Sequence, residues 1–200
     1  IIHHQDTGAG HCGFGGWRDG RALTDRSAAM QGGAFERVPF SSAWRDPLHA
    51  VLILDPEVCV AGEANTQANL NATNAACSRG PLTPLNGEDT GTTSTLYSLF
   101  RSGDDVYAAG DQLLLRRARG DRSWTLVGRP PEVLYAGATP PGGVSLAVGQ
   151  SGTLWRRSPG NSSFTPVTQI TGTALYGIAA LSSQDVVLVG DRGTILRYIP

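Results

Sequence analysis

Apolar residues in this chain fall into short alternating runs, and the runs end on glycine. In Asp185–Gly190 (DVVLVG), Val186, Leu188 and Gly190 point one way and Val187 and Val189 the other. Both sets are apolar or small, which predicts a strand covered on both faces. The same pattern occurs in Leu48–Glu63 (LHAVLILDPEVCVAGE), Leu96–Asp111 (LYSLFRSGDDVYAAGD), Leu134–Gln150 (LYAGATPPGGVSLAVGQ) and Leu175–Asp191 (LYGIAALSSQDVVLVGD). Each opens on Leu plus His or Tyr, crosses a polar turn, runs through a small-apolar strand and lands on Gly followed by an acid or amide. Gly62, Gly110, Gly149 and Gly190 lie 14, 14, 15 and 15 positions after their leading leucines. The glycines follow one another at 48, 39 and 41 positions. No window carries a helical stripe, and Asn65–Cys77 reads as a long loop or a short helix.

Strand-built repeats of roughly 40–50 residues predict a β-propeller. The expected fold is all-β, with four or five antiparallel four-stranded blades closed across the termini. Blades start near residues 48, 96, 134 and 175, with an insertion over 64–90, within a repeat region of 33–200 that follows an irregular arm of 1–32. Trp124–Val127 and Phe164–Val167 read as outer strands, an aromatic followed three residues later by Val. Phe35 and Val38 keep that spacing, whereas no such strand follows Ile195–Tyr198. Phe35–Val38 is therefore expected to complete the blade begun at Leu175, which would remove exposed sheet edges. The glycine closing each repeat is expected to supply a positive φ, and Gly152 and Gly193 a tight hairpin.

Composition narrows the function classes. Charged residues make up 16% of the 200, glycine numbers 26 and the net charge is −1. That suits a turn-rich, exported β-protein and gives no global field for nucleic acid or anionic lipid. No apolar run reaches the roughly 18–20 residues of a membrane span. The chain starts at Ile1, as a processed form or a piece of something longer would. Cys59 lies on a repeat strand and Cys77 in the insertion, so a Cys59–Cys77 bridge would staple the insertion and favour an oxidising compartment. The alternative is two buried thiols; Cys12 is left over, free or paired between chains.

Val189–Arg197 (VGDRGTILR), Val148–Arg156 (VGQSGTLWR) and Ala109–Arg116 (AGDQLLLR) carry a further signal. They resemble the tandem repeats of a bacterial propeller family in which a DVxxVGxxGT-I/L-L-R strand pair precedes an outer aromatic strand. Such repeats are frequent in myxobacterial secreted proteins and look related to photosystem II assembly factors and BNR/Asp-box propellers. The resemblance covers residues 96–200 well, 48–63 moderately and 1–45 poorly. It implies a binding or assembly scaffold rather than an enzyme. The sialidase-like branch fits badly: Gln150 replaces the Asp of an Asp-box in QSGTLW, and DRGTIL at Asp191–Leu196 lacks its aromatic.

Three groups of side chains are candidate sites. His49, Tyr97, Tyr135 and Tyr176 hold one repeat position, where they would ring the central channel to bind a peptide or sugar, or pack between blades. Arg116, Arg156 and Arg197 hold another; with Arg117 and Arg157 they would form a basic band for an acidic partner, or pair with neighbouring Asp residues. His3, His4, Asp6, His11 and Cys12 are ligand types for zinc or copper, in a spacing that matches no established motif. Cys12–Trp17 (CGFGGW) is not a cysteine-protease site, since only His49 follows it as a base. Phosphate loops, serine elbows and zincin helices are missing from the sequence. The expected function is protein binding without cofactor or catalysis, at the cell surface, in the periplasm or outside the cell, as an accessory subunit of an envelope assembly. A carbohydrate-binding propeller is the alternative and a glycoside hydrolase the minor one.

Overall fold

The computed structural model describes residues 46–65, 73–80, 83–167 and 169–198. They form four antiparallel sheets, one per repeat. Blade 1 contains β1 (Leu48–Leu54), β2 (Glu57–Asn65), β3 (Thr73–Cys77) and β4 (Asn86–Gly87). Blade 2 contains β5 (Leu96–Ser102), β6 (Asp105–Gly110), β7 (Leu113–Arg117) and β8 (Thr125–Gly128). Blade 3 contains β9 (Leu134–Ala138), β10 (Ser145–Gly149), β11 (Leu154–Arg157) and β12 (Thr165–Val167). Blade 4 shows β13 (Leu175–Ser182), β14 (Asp185–Gly190) and β15 (Ile195–Tyr198). The all-β propeller architecture expected from the repeat is what the chain adopts. Phe35–Val38, expected as the fourth strand of blade 4, lies outside the described residues, as does the rest of the arm.

Strands within a blade follow chain order, and the inner strands β1, β5, β9 and β13 pack one against the next. The core lies in the layers between blades. Each blade has a leading face toward the preceding blade and a trailing face toward the following one. Cys59, Ala61, Ala75 and Cys77 of blade 1 pack against Leu99, Val106, Ala108 and Leu115 of blade 2. Tyr107, Ala109 and Leu114 of blade 2 pack against Ala147, Trp155 and Phe164 of blade 3. Leu146, Val148 and Leu154 of blade 3 pack against Val186 and Leu188 of blade 4. Alternation along one strand thus feeds two different layers, which is why both sets of side chains must be apolar.

The repeated glycine does a different job from the one expected. Gly149 has φ −167° and Gly190 φ −161°, which is extended backbone rather than the left-handed region. The constraint is close approach. A Cβ at Gly62, Gly110, Gly149 or Gly190 would overlap the carbonyl oxygen of Pro47, Thr95, Val133 or Ala174, each the residue before a leading Leu. The residue after each glycine donates its N–H to that same carbonyl, at 3.0, 2.9, 2.9 and 2.9 Å for Glu63, Asp111, Gln150 and Asp191. The register slips at the same point in all four blades. Glycine therefore lets the second strand bulge onto the entry of the first. Positive φ appears two and three residues on, at Ser151 (55°) and Gly152 (72°) and at Arg192 (55°) and Gly193 (71°), where the hairpin turns as expected.

Blade 1 departs most from the expectation. The Asn65–Cys77 stretch, read as loop or short helix, ends in the strand β3, and Asn86–Gly87 supplies a two-residue outer strand. Cys59 and Cys77 stand directly opposite each other on β2 and β3 and form a disulfide. The bridge expected from the sequence is present, and it joins two strands of one sheet rather than a strand to a loop. Asn74 is fully buried, its amide donating to the carbonyls of Ser94 (2.6 Å) and Thr92 (3.3 Å) and its oxygen accepting from Thr90 Oγ1. A polar residue is tolerated there because its hydrogen bonds tie β3 to the linker leading into blade 2.

Candidate functional site

The inner-strand entries place four repeat-equivalent rings side by side. Leu96, Leu134 and Leu175 are fully buried between blades, and the bulge beside each turns the following residue away from the core. The His49 and Tyr97 ring centroids are 5.2 Å apart, Tyr97 and Tyr135 5.6 Å, and Tyr135 and Tyr176 5.1 Å. The pairs are tilted or edge-on, the favoured arrangement for aromatic quadrupoles. Tyr97 and Tyr135 are half-buried, while His49 and Tyr176 at the two ends are exposed. The structure thus joins these four candidates in one continuous row that crosses all four blades.

Carboxylates flank the row. His49 Nε2 lies 3.7 Å from Glu63 Oε1, and the Tyr176 hydroxyl donates to Asp191 Oδ2 at 3.3 Å. Desolvation and the Asp191 charge hold the Tyr176 phenol above its ordinary value. Glu63 and Asp191 follow the repeated glycine, as Asp111 and Gln150 do in the middle repeats. At the two ends of the row, the bulge that turns the ring outward therefore also sets an acid beside it.

The arginines behave differently. Arg116 Nε pairs with Asp105 Oδ2 at 2.7 Å, a hydrogen bond that raises the guanidinium above its ordinary value. Arg197 pairs with Asp185 at 3.4 Å, and Arg156 is exposed. Each stands on the third strand of its own blade.

Arg117 and Arg157, read in the sequence only as doubled charge, are buried between blades. Arg117 reaches Glu57 (2.9 Å), Glu88 (3.4 Å) and the Asp121 carbonyl (3.1 Å), with the Trp124 ring 5.8 Å away. Arg157 donates to Ser102 Oγ (2.6 Å), Ser145 Oγ (3.1 Å) and the Asn161 carbonyl (2.9 Å), and lies 4.7 Å over the Tyr107 ring. The outer aromatics complete these seams: Trp124 N–H donates to Asp89 O and Phe164 N–H to Val127 O, both at 3.0 Å across to the preceding blade. Burial pushes the Glu88 carboxyl up to about 7, against the pull of Arg117 and of the Trp124 indole that donates to it at 2.9 Å. A cleft of about 210 Å³ opens over this seam, lined by Glu57, Arg79, Glu88, Arg117, Arg119 and Arg122 among others.

Among the described residues, Glu57, Cys59 and Cys77 form the one cluster of metal-ligand types. Both sulfurs are committed to the disulfide, so the cluster lacks the thiolates a metal would need. The candidates His3, His4, Asp6, His11 and Cys12 lie outside the described residues. No helix among those described is long and apolar enough to cross a membrane.

The sequence matches no protein-family model and no curated protein. The fold matches solved propellers. YCF48 bound to a D1 peptide is similar with a TM-score of 0.59 and 12% identity, over 84% of this chain and 55% of that one. The computationally designed Ika4 protein gives 0.64 and 14%, over 84% of this chain and 99% of that one. The WD40 β-propeller domain of Doa1 gives 0.53 and 14%, over 76% and 54%. The chain thus spans about half the length of YCF48 and of the Doa1 domain. At such identities the likeness is one of fold, and the fold shared by all three is the radial array of four-stranded sheets read from the repeat.

Proposed function

We propose that this chain is a non-enzymatic, protein-binding propeller whose aromatic row holds an extended segment of its partner. The observation that carries the reading is the unbroken contact of His49, Tyr97, Tyr135 and Tyr176 across four blades. Residues that served only blade packing would be separated by the apolar layers, as Trp155 and Phe164 are enclosed in theirs. A row of flat rings with polar tips buries apolar side chains and hydrogen-bonds a peptide backbone at low entropic cost. Glu63 and Asp191, in contact with the two end rings, favour a segment bearing Lys or Arg through ion pairing and cation–π attraction. The peptide-bound state of the YCF48 neighbour supports such a use of this fold. The Cys59–Cys77 bridge supports an oxidising location, consistent with an accessory subunit of an exported assembly.

Tyr faces also stack on sugars, so carbohydrate binding by the same row is the second reading. Parallel peptide and glycan arrays, probed with the wild-type chain and with Tyr97→Ala and Tyr135→Ala, separate the two. Basic peptides are expected to bind, with each substitution weakening binding about tenfold and leaving the melting temperature within a few degrees. Glycan binding without peptide binding would select the second reading. Variants that unfold, or that bind peptides as well as wild type, would return the row to a purely structural role.

A further inference from the structure

The seam between blades 1 and 2 carries more positive charge than the repeat requires. Blades 2 and 3 share a turn after the third strand. In both, β7 and β11 end on a buried arginine, and the chain then folds back, with Asp121 N–H donating to Ala118 O and Asn161 N–H to Ser158 O, both at 3.1 Å. Gly120 (φ 84°) and Gly160 (φ 82°) stand at the same place in the turn, and Arg117 and Arg157 each donate to the carbonyl of the residue after that glycine. So much is common to the two blades and belongs to the fold. In blade 2, however, Arg119 and Arg122 stand where blade 3 has Pro159 and Ser162. Both are exposed, so no packing layer accounts for them. Arg79 joins them from blade 1, two residues after β3, and the three line the cleft of about 210 Å³ above Arg117.

The charge in this cleft is unbalanced. Glu57 and Glu88 are taken up by Arg117. Arg119 shares Asp104 with Arg101, at 3.4 and 3.3 Å between exposed side chains, a contact that water and salt keep weak. Arg79 and Arg122 form no ion pair or side-chain hydrogen bond among the described residues. Burial leaves the Glu88 carboxyl partly protonated near neutral pH, which removes negative charge from the floor. We infer that the cleft binds one phosphate or sulfate group, held by Arg79, Arg119 and Arg122. A carboxylate has two oxygens and is satisfied by a single forked guanidinium, whereas a tetrahedral oxyanion accepts from several arginines at once. Three arginines on two chain segments fit the second. The site is independent of the aromatic row, because β7 starts at the bulged end of the blade and reaches Arg117 at the other.

Calorimetric titration at pH 7 and constant ionic strength, with inorganic phosphate, sulfate, O-phosphoserine and acetate, tests the inference. Saturable binding of phosphate is expected, weakened about fivefold by Arg79→Gln or Arg122→Gln and roughly twentyfold by the pair, with acetate failing to saturate. Arg129→Gln, which removes an exposed arginine outside the cleft, and Tyr135→Ala in the aromatic row should both bind phosphate as wild type does. The arginines replaced are exposed, so circular dichroism should show every one of these arginine variants folded. Tighter binding of O-phosphoserine than of phosphate would identify a group carried by a larger molecule, and the reverse a free ion; either supports the site. Three results would overturn it: no saturable binding of any tetrahedral anion, acetate binding as tightly as phosphate, or a loss in Arg129→Gln as large as in Arg122→Gln.

Discussion

A methyl group at position 149 would occupy the space of the Val133 carbonyl oxygen, and the backbone there is extended. The requirement for glycine is thus steric and not torsional, and it holds for Gly62, Gly110 and Gly190 too. Gly149→Ala must push two strands of one blade apart and break the Gln150 N–H to Val133 O bond, a cost of about 2–3 kcal/mol. Gly172→Ala is the matched control, since its Cβ would meet nothing within 4 Å. Urea unfolding should show the first substitution strongly destabilising and the second near neutral; equal effects would refute the close-approach account. The recurrence of this glycine was plain in the sequence, but its reason was not. A turn and a bulge both call for Gly, and only the position of the opposing carbonyl distinguishes them.

Between elements, the seam of blades 1 and 2 concentrates what the pattern of residues concealed. Strand β3 was hidden because Thr73–Cys77 (TNAAC) has neither β-branched alternation nor aromatics; its pairing comes from the disulfide and from Asn74. Arg117 was hidden because two adjacent arginines look alike in sequence, while alternation sends Arg116 to solvent and Arg117 into the layer. The buried partner of Arg117 makes stability depend on pH. Glu88 titrates near 7 when folded and near 4.5 when unfolded, so between those values the folded state holds a proton the unfolded state has lost. Its contribution is therefore greatest at or below about pH 4.5 and declines as pH rises to 7, by roughly 2–3 kcal/mol. Comparing unfolding of wild type and Glu88→Gln at pH 5 and pH 7.5 isolates that slope, and Trp124 fluorescence reports it directly through the indole bond to Glu88. A wild type whose excess pH dependence over Glu88→Gln is zero, or rises toward pH 7.5, would contradict the buried-acid assignment.

At the scale of the molecule, the extensive contacts between blades among the described residues run between neighbours in chain order, so stability should be distributed as in a linear array. The aromatic row was legible because it repeats in register with the leucines; the exposed face of blade 4 was not, because Val189 and Ile195 look in sequence like their buried counterparts Val148 and Leu154. Exposure at the ends has a dynamic consequence. Strand β10 is buried throughout, packed by blades on both faces, whereas on β14 Val187 is half-buried and Val189 45% exposed. Opening blade 4 disrupts one apolar layer, and opening blade 3 disrupts two, so the end blade opens at lower free energy. Amide hydrogens of β14 should exchange about tenfold or more faster than those of β10. Uniform protection of the two strands would show instead that the blades unfold as one unit and that covering both faces of a blade adds nothing to its local stability.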